Sequence, residues 1–399
     1  MKRIVKILAV TAALSLSMSS VSWAYVTEPQ GPGEVGMSQA QLNGYSEEEW
    51  AHLMDNNLEY SEIPALVHTF NSNMENAWKS FDDGVATLQQ SKDAAKDVVD
   101  EVQETYDQVK EAYGKAAADT QVGPFLAQAK ATQSAVNKTY KNLTKDTSSA
   151  IGGLEFAEKQ VASAVEQIFV GYKTIVSQKA MLTTLVNLYQ ESYSANVALL
   201  SQGMATSTDV LSAQKDLLSA QSSLASLEAT EHQLYRQLIT MLGWQPDAVV
   251  TIGDVPGPDM NLIASYNPDA DMVRAEGNNP TLKGIRKGVK PKKAGAKEAY
   301  FENEEQLRSI LRANVTEAYN ELMAAKGSYE ASAVGAQAAA ALQRASDVQY
   351  SQGLVSKAQY IGTSISAVQK NASAEAARLN LIGKMLAYES MLNGNSSVE

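Results

Sequence analysis

Acid–base, nucleophilic or metal chemistry needs clustered histidines, carboxylates or thiols, and this sequence has few of them at useful spacings. The three histidines are His52, His68 and His232. None of them lies in an H-E-x-x-H zinc motif, and the chain has no nucleophile elbow and no phosphate-binding glycine loop. The adjacent carboxylates Asp82 and Asp83 are typical of an exposed helix face. We therefore expect no catalytic residues, no cofactor and no metal site.

Composition excludes several further classes of protein. The chain has no cysteine, which excludes disulfides, thiolate ligands, a cysteine nucleophile and the lipidated cysteine of a lipoprotein. A net charge of -12, with four Trp and six Phe in 399 residues, argues against a nucleic-acid partner. The abundance of Ala, Gln, Ser and Leu favours long helices with thin, repeated contacts over one compact core.

One ten-residue stretch occurs in two versions, "SQGMATSTDV" at 201–210 and "SQGLVSKAQY" at 351–360. The residues that define it are Gly203, Thr206 and Asp209 in the first version and Gly353, Ser356 and Gln359 in the second. A glycine with positive φ ends a helix well, and a Ser or Thr three residues before Asp or Gln has the spacing of a capping box. Each stretch therefore predicts a tight turn between two helices. By itself, the pattern is explained by a stable turn.

Heptad patterns flank both stretches. Apolar residues alternate at spacings of three and four from 161 to 200 and again from 217 to 241, and the pattern recurs from 361 to 386. Such alternation is the seam of a coiled coil. The predicted fold is all-α, with two tandem long antiparallel coiled-coil helical hairpins plus an N-terminal helical region. Polar residues on the seams, Lys179, Glu231 and Glu375, either line a lumen or fix the helix register.

The chain start resembles a secretory signal. Basic residues precede an apolar run at 7–16, and Ser22 and Ala24 supply the small side chains read at a cleavage site.

The predicted organisation follows: signal peptide 1–24, flexible N-terminus 25–45, N-terminal helical region 46–149, first hairpin 150–245, linker and basic loop 246–302, second hairpin 303–394 and tail 395–399. Within the N-terminal region, a charged helix is predicted to run to about Ala118. Gly123-Pro124 should interrupt it, and another helix is predicted to follow to about Lys145.

A basic segment stands out in this acidic chain. Its members are Lys283, Arg286, Lys287, Lys290, Lys292, Lys293 and Lys297. One interpretation is a solvated loop. The other is contact with an anionic surface, either phospholipid headgroups or a wall polymer, because each basic residue near such a surface contributes about 1 kcal/mol.

The paired stretches, set between long helices, resemble the hairpin tips of the TolC-type outer-membrane efflux family, which read roughly Y-x-x-G-x-x-[ST]-x-x-[DQ]-[VY]. "LITMLG" and "YESMLNG" resemble that family's helix ends, "NNPTL" at 278–282 is similar to its Asn-Pro element, and "DNNLEY" at 55–60 is a looser match. The resemblance implies three protomers around a helical tunnel, with tips that dock a periplasmic adaptor protein. It also implies a membrane β-hairpin in each repeat. Here the corresponding segments lack the alternating polarity of membrane strands, so no β-barrel is predicted.

The resemblance therefore implies a TolC-like exported helical-tunnel component of an efflux or export system, which works as a homotrimer. Its tips would dock a periplasmic adaptor of an efflux pump. The expected location is the periplasm or cell envelope, in association with the outer membrane. The alternative function is an extracytoplasmic coiled-coil scaffold that bridges envelope layers without transport.

Overall fold

A computed structural model describes residues 45–287 and 294–395, with side chains described except at 143–150, 287 and 294–297. The expected signal peptide and most of the expected flexible N-terminus lie outside the described residues. The described chain is built almost wholly from helices, which confirms the all-α fold. The described residues form two compact units, one of residues 67–159 and one of residues 45–66 with 160–395.

The elements of the first part of the chain are α1 (Glu47–Leu53), β1 (Asn57–Leu58), a 3₁₀ turn (Tyr60–Glu62), α2 (Ile63–Phe70), α3 (Ser72–Tyr113), α4 (Lys115–Gln121), α5 (Gly123–Ser201) and α6 (Ser207–Met241). The later elements are β2 (Thr251–Ile252), α7 (Met260–Ser265), α8 (Pro268–Asn278), α9 (Pro280–Lys287), α10 (Ala294–Ser351) and α11 (Lys357–Leu392).

The unit of residues 67–159 is a helical pair formed by α3 and the first part of α5. Val98, Val99 and Val102 of α3 are buried against Val122 and Ala129, which closes the apolar seam. Farther along the pair, the ammonium of Lys92 lies 4.4 Å from the ring centre of Tyr140. An ammonium group over an aromatic ring keeps part of its electrostatic stabilisation, while the aliphatic part of the lysine side chain packs against its neighbours. This explains how a lysine is accommodated along the pair.

A carboxylate joins the open ends of this helical pair. Glu158 Oε2 lies 2.9 Å from His68 Nδ1 and accepts a hydrogen bond of 3.2 Å from Trp78 Nε1. The three side chains come from α5, α2 and α3, so one acidic residue links three helices.

The second unit contains both long hairpins. In the first hairpin, α5 and α6 are joined across their seam by Lys179 and Glu231, whose Nζ and Oε2 atoms lie 2.5 Å apart. In the second, Lys384 of α11 and Glu321 of α10 approach to 2.7 Å. Each pair links positions far apart in sequence but level along the hairpin, so a slip of either helix would separate the charges.

A short parallel sheet anchors the first hairpin to the N-terminal segment. β1 pairs with β2 in the register Asn57 with Thr251 and Leu58 with Ile252. Lys173 of α5 donates to the carbonyl of Ile252 at 3.0 Å. β2 lies in the segment that links the two repeats.

The core of the second repeat lies away from its tip. Tyr388 of α11 is fully buried, its hydroxyl donates to Asp271 at 2.9 Å, and its ring lies 4.9 Å from that of Tyr266. Burial, followed by the hydrogen bond to Asp271, raises the pKa of Tyr388. The fully buried side chains of Leu282, Leu311, Leu322, Leu381 and Leu392 complete this core. The segment α8–α9 thereby packs on the ends of α10 and α11.

Two predicted helix boundaries are wrong. The first helix of the N-terminal region ends at Tyr113, because Gly114 adopts φ 84° and turns the chain before Gly123-Pro124. From Gly123 the helix then continues without a break through Lys145 to Ser201, over 79 residues. Gly152 and Gly153 lie inside it with open space around their Cα atoms. The glycine pair weakens the helix locally but does not end it.

The segments expected to differ from the family are helical wherever they are described. In the second repeat, α9 ends at Lys287 and α10 begins at Ala294, and residues 288–293 lie outside the described residues. In the first repeat, α4 and α5 occupy 115–121 and 123–201. Across 45–287 and 294–395, no helix is both long and apolar enough to cross a membrane.

The turn glycine of the second hairpin provides a stability test. Gly353→Ala should destabilise the chain by about 1–2 kcal/mol, because φ is 72° at this position and a Cβ atom is disfavoured there. Gly327→Ala is the matched control: Gly327 lies inside α10 with open space beside it, so this substitution should stabilise by about 0.5–1 kcal/mol. Urea unfolding followed by circular dichroism measures both. A shift of both variants in the same direction would contradict the assigned turn.

Candidate functional site: the paired hairpin tips

The first hairpin tip is a helix end followed at once by a helix start. Gly203 has φ 71° and donates its amide to the carbonyl of Leu200 at 3.0 Å, while Met204 N donates to Leu199 O at 2.9 Å. Thr206 then caps α6: Asp209 N donates to Thr206 Oγ1 at 3.2 Å, and Thr206 N donates to Asp209 Oδ2 at 2.8 Å. The capping box predicted from the sequence is confirmed.

The second tip repeats this geometry. Gly353 N donates to Tyr350 O at 3.0 Å and Leu354 N to Gln349 O at 2.8 Å. Gln359 N donates to Ser356 Oγ at 3.2 Å, and Ser356 N donates to Gln359 Oε1 at 3.1 Å. The duplicated sequence therefore encodes a duplicated backbone conformation, hydrogen bond by hydrogen bond.

The two tips lie side by side. Lys357, the first residue of α11, approaches Glu191 of α5, with Nζ and Oε2 3.7 Å apart. Ser194, Ala198 and Leu199 of α5 face Ser356 and Lys357 across a shallow groove between the tips. Exposed ion pairs contribute only about 0–1 kcal/mol. The pair thus indicates which helices are neighbours more than it stabilises them.

The tips differ in electrostatics. Asp209 completes the capping box of the first tip, and hydrogen bonds from the backbone amide and the hydroxyl of Thr206 hold the pKa of its carboxyl below the usual value. Gln359 completes the capping box of the second tip without a charge. The first tip therefore carries a fixed negative charge beside its turn, whereas the cap of the second is uncharged and Lys357 is its nearest ion.

Sequence reasoning missed two exposed apolar residues at the tips. Met204 and Leu354 each follow the turn glycine directly, and their exposed fractions are 65% and 69%. Their shared position immediately after the repeated glycine was the available signal. Their exposed side chains make each tip partly apolar.

The basic segment is only partly described. Lys283 is exposed and makes no ion pair with any residue that the structure describes. Arg286 instead contacts Glu276 at 2.8 Å and Glu304 at 3.0 Å. Lys287 and Lys297 lie in α9 and α10, and Lys290, Lys292 and Lys293 lie outside the described residues. Contact with an anionic surface stays a prediction, and the charge of Arg286 is compensated within the chain.

Arg286 belongs to a network that joins α8, α9 and α10. Glu276 also accepts a hydrogen bond of 3.0 Å from Arg308 Nε. Burial alone would raise the pKa of Glu276, but the hydrogen bonds from Arg308 and Arg286 outweigh it and hold that pKa below its usual value. This network ties the start of the second repeat to the helix that follows it.

The polar seam residues are paired as well. Lys179 contacts Glu231 across the first hairpin, and Glu375 accepts two hydrogen bonds from Arg378 one turn along α11, at 2.9 and 2.7 Å. The Lys179–Glu231 pair joins two helices, which favours a register role for these residues over free charges lining a lumen. Among described residues, no group of three or more His, Asp or Glu is arranged to hold a metal ion.

Comparison with proteins of known structure identifies the fold. No protein-family model and no curated protein matches the sequence. The outer membrane channel CmeC of Campylobacter jejuni is similar in structure, with a TM-score of 0.50, 10% identity and coverage of 96% of this chain and 93% of that one. CusC, described for its transmembrane channel formation, has a TM-score of 0.50 and 13% identity, with 85% and 96% covered. The chain has the TolC-type outer-membrane factor fold.

The unequal caps predict different responses of the tips to acid. A carboxylate with a lowered pKa contributes stability above its unfolded pKa and loses it as pH falls through the folded value. As the pH falls below 3.8, the usual pKa of an aspartate carboxyl, the first tip should lose amide protection while the second keeps it. Hydrogen exchange by mass spectrometry, corrected for intrinsic pH dependence, measures both. Asp209→Asn is the control, and equal loss at both tips would refute the cap assignment.

Proposed function

We propose that this chain is a wall segment of a helical tunnel in an efflux or export system, closed by further copies of the same chain. The observation that carries the proposal is the distribution of apolar side chains on the four hairpin helices. The shared fold with two proteins described as channels supports it.

The order of the four helices follows from their contacts. The Lys179–Glu231 pair makes α5 and α6 neighbours, and the Lys357–Glu191 pair makes α5 and α11 neighbours. Gln343 of α10 donates to Ser364 of α11 at 3.0 Å. The order is therefore α6, α5, α11, α10, with α6 and α10 at the two edges.

The edge helices carry large apolar side chains that no described residue covers. Leu211 and Leu218 are one heptad apart on α6, with exposed fractions of 64% and 56%. Val334, Leu342 and Val348 of α10 are 66%, 66% and 54% exposed. No large apolar side chain of α11 is exposed to this extent in the described part of the chain. Two dissimilar apolar edges suit head-to-tail assembly, which closes into a ring when the rotation permits.

The exposed apolar residues of α6 and α10 lie at matching heights along the hairpins, so they would face each other in such a contact. Leu211 lies four residues after the start of α6, and Val348 lies three residues before the end of α10. Because both tips lie at the same end of the unit, these positions are level when α6 of one copy meets α10 of the next. Three copies is the number implied by the fold's resemblance to TolC-type proteins.

Adaptor docking at the tips is the second part of this proposal. Its support is the repeated turn geometry, the exposed Met204 and Leu354, and the charge of Asp209 beside them. A helical hairpin of a periplasmic adaptor protein is the partner that such paired helix ends accommodate. A scaffold that only bridges envelope layers would need neither a ring nor apolar edges. The exposed apolar residues on the edge helices α6 and α10 therefore favour the tunnel.

Cysteine cross-linking tests the ring directly, since the chain has no native cysteine. Leu211→Cys with Val348→Cys should give covalent species of two and three chains on treatment with a short bismaleimide, which bridges cysteines too far apart for a disulfide. The control pair, Glu191→Cys with Lys357→Cys, joins α5 and α11 of one copy and should give only cross-linked single chains. If the first pair yields only single chains while the control forms its bond, the ring arrangement is wrong.

Docking is tested by charge reversal at the tips. Asp209→Lys with Gln359→Lys should weaken binding to a purified periplasmic adaptor from the same cell by at least about tenfold, because one attraction becomes a repulsion. Thr206→Ala with Ser356→Ala removes the caps but keeps the charge, and should weaken binding less. Surface plasmon resonance measures both. Equal affinities for wild type and the Lys variant would exclude docking through these residues.

A further inference from the structure

One face of α3 carries two lines of carboxylates. Residues seven apart lie nearly on one line along a helix, and the acidic residues of α3 repeat at this spacing. The exposed members are Asp93, Asp100 and Asp107 on one line and Asp97, Glu104 and Glu111 on the other. Neighbours on the two lines are four residues apart, a spacing at which like charges destabilise a helix. A cationic partner on this face would relieve the repulsion.

The helical pair of α3 and the first part of α5 does not neutralise these carboxylates itself. Three of them accept hydrogen bonds, but only from uncharged glutamine amides: Asp93 from Gln89 at 3.0 Å, Glu104 from Gln108 at 3.0 Å and Asp107 from Gln103 at 3.2 Å. None of the six forms an ion pair with a residue that the structure describes. Their negative charge therefore remains available to a partner.

Lysines lie on the adjoining side of the same helical pair. Lys96, Gln103 and Lys110 follow one another at intervals of seven residues, so they share a third line on α3. Lys130 of α5 lies on this side as well, because its Nζ donates to Gln103 Oε1 at 3.0 Å. These three lysines are exposed, and none is paired with a carboxylate in the described part of the chain. The pair thus presents an acidic edge and a basic side at the same height.

We propose that the acidic edge of α3 is a contact surface for a second copy of this chain, and that the lysine side of the next copy is what covers it. The two surfaces are dissimilar and opposite in charge, so they join head to tail. Copies arranged around an axis parallel to α3 keep each residue at one height, which brings Asp100 of one copy level with Lys96 of the next. This inference rests on the proposed ring for the arrangement of the copies, and it adds a contact between them that α6 and α10 do not make.

Charge reversal with rescue tests this contact on residues 25–399. Lys96→Glu with Lys110→Glu should raise the concentration at which the particle half-dissociates by at least about tenfold, because attraction becomes repulsion. Asp100→Lys with Glu104→Lys should do the same. All four substitutions together should restore the wild-type value, since the attraction returns with its signs exchanged. Light scattering on a dilution series at low ionic strength, where surface charges are least screened, measures each variant.

The matched control is Asp82→Lys with Asp83→Lys, which changes the net charge as much as Asp100→Lys with Glu104→Lys does. Asp82 and Asp83 are exposed on the same helix but lie outside the two carboxylate lines, so this variant should dissociate as wild type does. Reversals that behave like the control would overturn the proposal. A combined variant that stays as weak as either reversal would overturn it too.

Cross-linking separates a failure of this contact from a failure of the hairpin ring. Asp97→Cys with Lys130→Cys should give species of two and three chains with the short bismaleimide. If this pair yields only single chains while Leu211→Cys with Val348→Cys yields larger species, the ring stands and the contact proposed here is wrong. Larger species from the first pair alone would support this contact without the hairpin ring. Single chains from both pairs would overturn both.

Discussion

Long helix pairs leave one side of each helix uncovered, and the rest of this structure depends on that constraint. The seams between α5 and α6 and between α10 and α11 bury only the residues that face inward. Leu211 of α6 and Val348 of α10 remain more than half exposed. Because each buried leucine contributes about 2 kcal/mol or more, covering these edges by another copy would add to stability what one chain cannot supply.

Ion pairs hold the helices in a register that leaves the apolar edges of α6 and α10 open to another copy of the chain. Lys179 with Glu231 sets the register of the first hairpin, and Lys384 with Glu321 sets that of the second. Removing one member would leave the other without a counter-ion, whereas an apolar seam alone tolerates slips of one heptad. The Glu276–Arg286–Arg308 network acts in the same way at the start of the second repeat. Charge therefore specifies the geometry that apolar packing stabilises.

Sequence patterns predicted the tips well because their determinants are local. A positive-φ glycine and a capping box depend on residues within about one helical turn, so "SQGMATSTDV" and "SQGLVSKAQY" contain the full information for their own geometry. The hairpins were equally predictable, since a heptad repeat is a local signal summed over many turns. The break near Lys145 was predicted wrongly because helix propensity is weak, and a continuous helix on both sides of Gly152 overrides it.

Features that depend on distant partners were not readable from the sequence. Nothing near Arg286 in the sequence indicates that Glu276 and Glu304 neutralise its charge. Met204 and Leu354 were readable in principle from their repeated position, but the motif drew attention to the polar cap instead. The pairing of Lys179 with Glu231 likewise becomes visible only when α5 and α6 are seen side by side.

The central claim is that the apolar edges of one chain are covered by other copies. The molar mass of the particle in solution tests this claim most directly. Multi-angle light scattering on residues 25–399, eluted from a size-exclusion column, reports the number of chains in the particle. The account predicts a particle of three chains that persists on dilution. A particle of one chain at all concentrations would contradict it, because Leu211, Leu218, Val334, Leu342 and Val348 would then remain exposed to water.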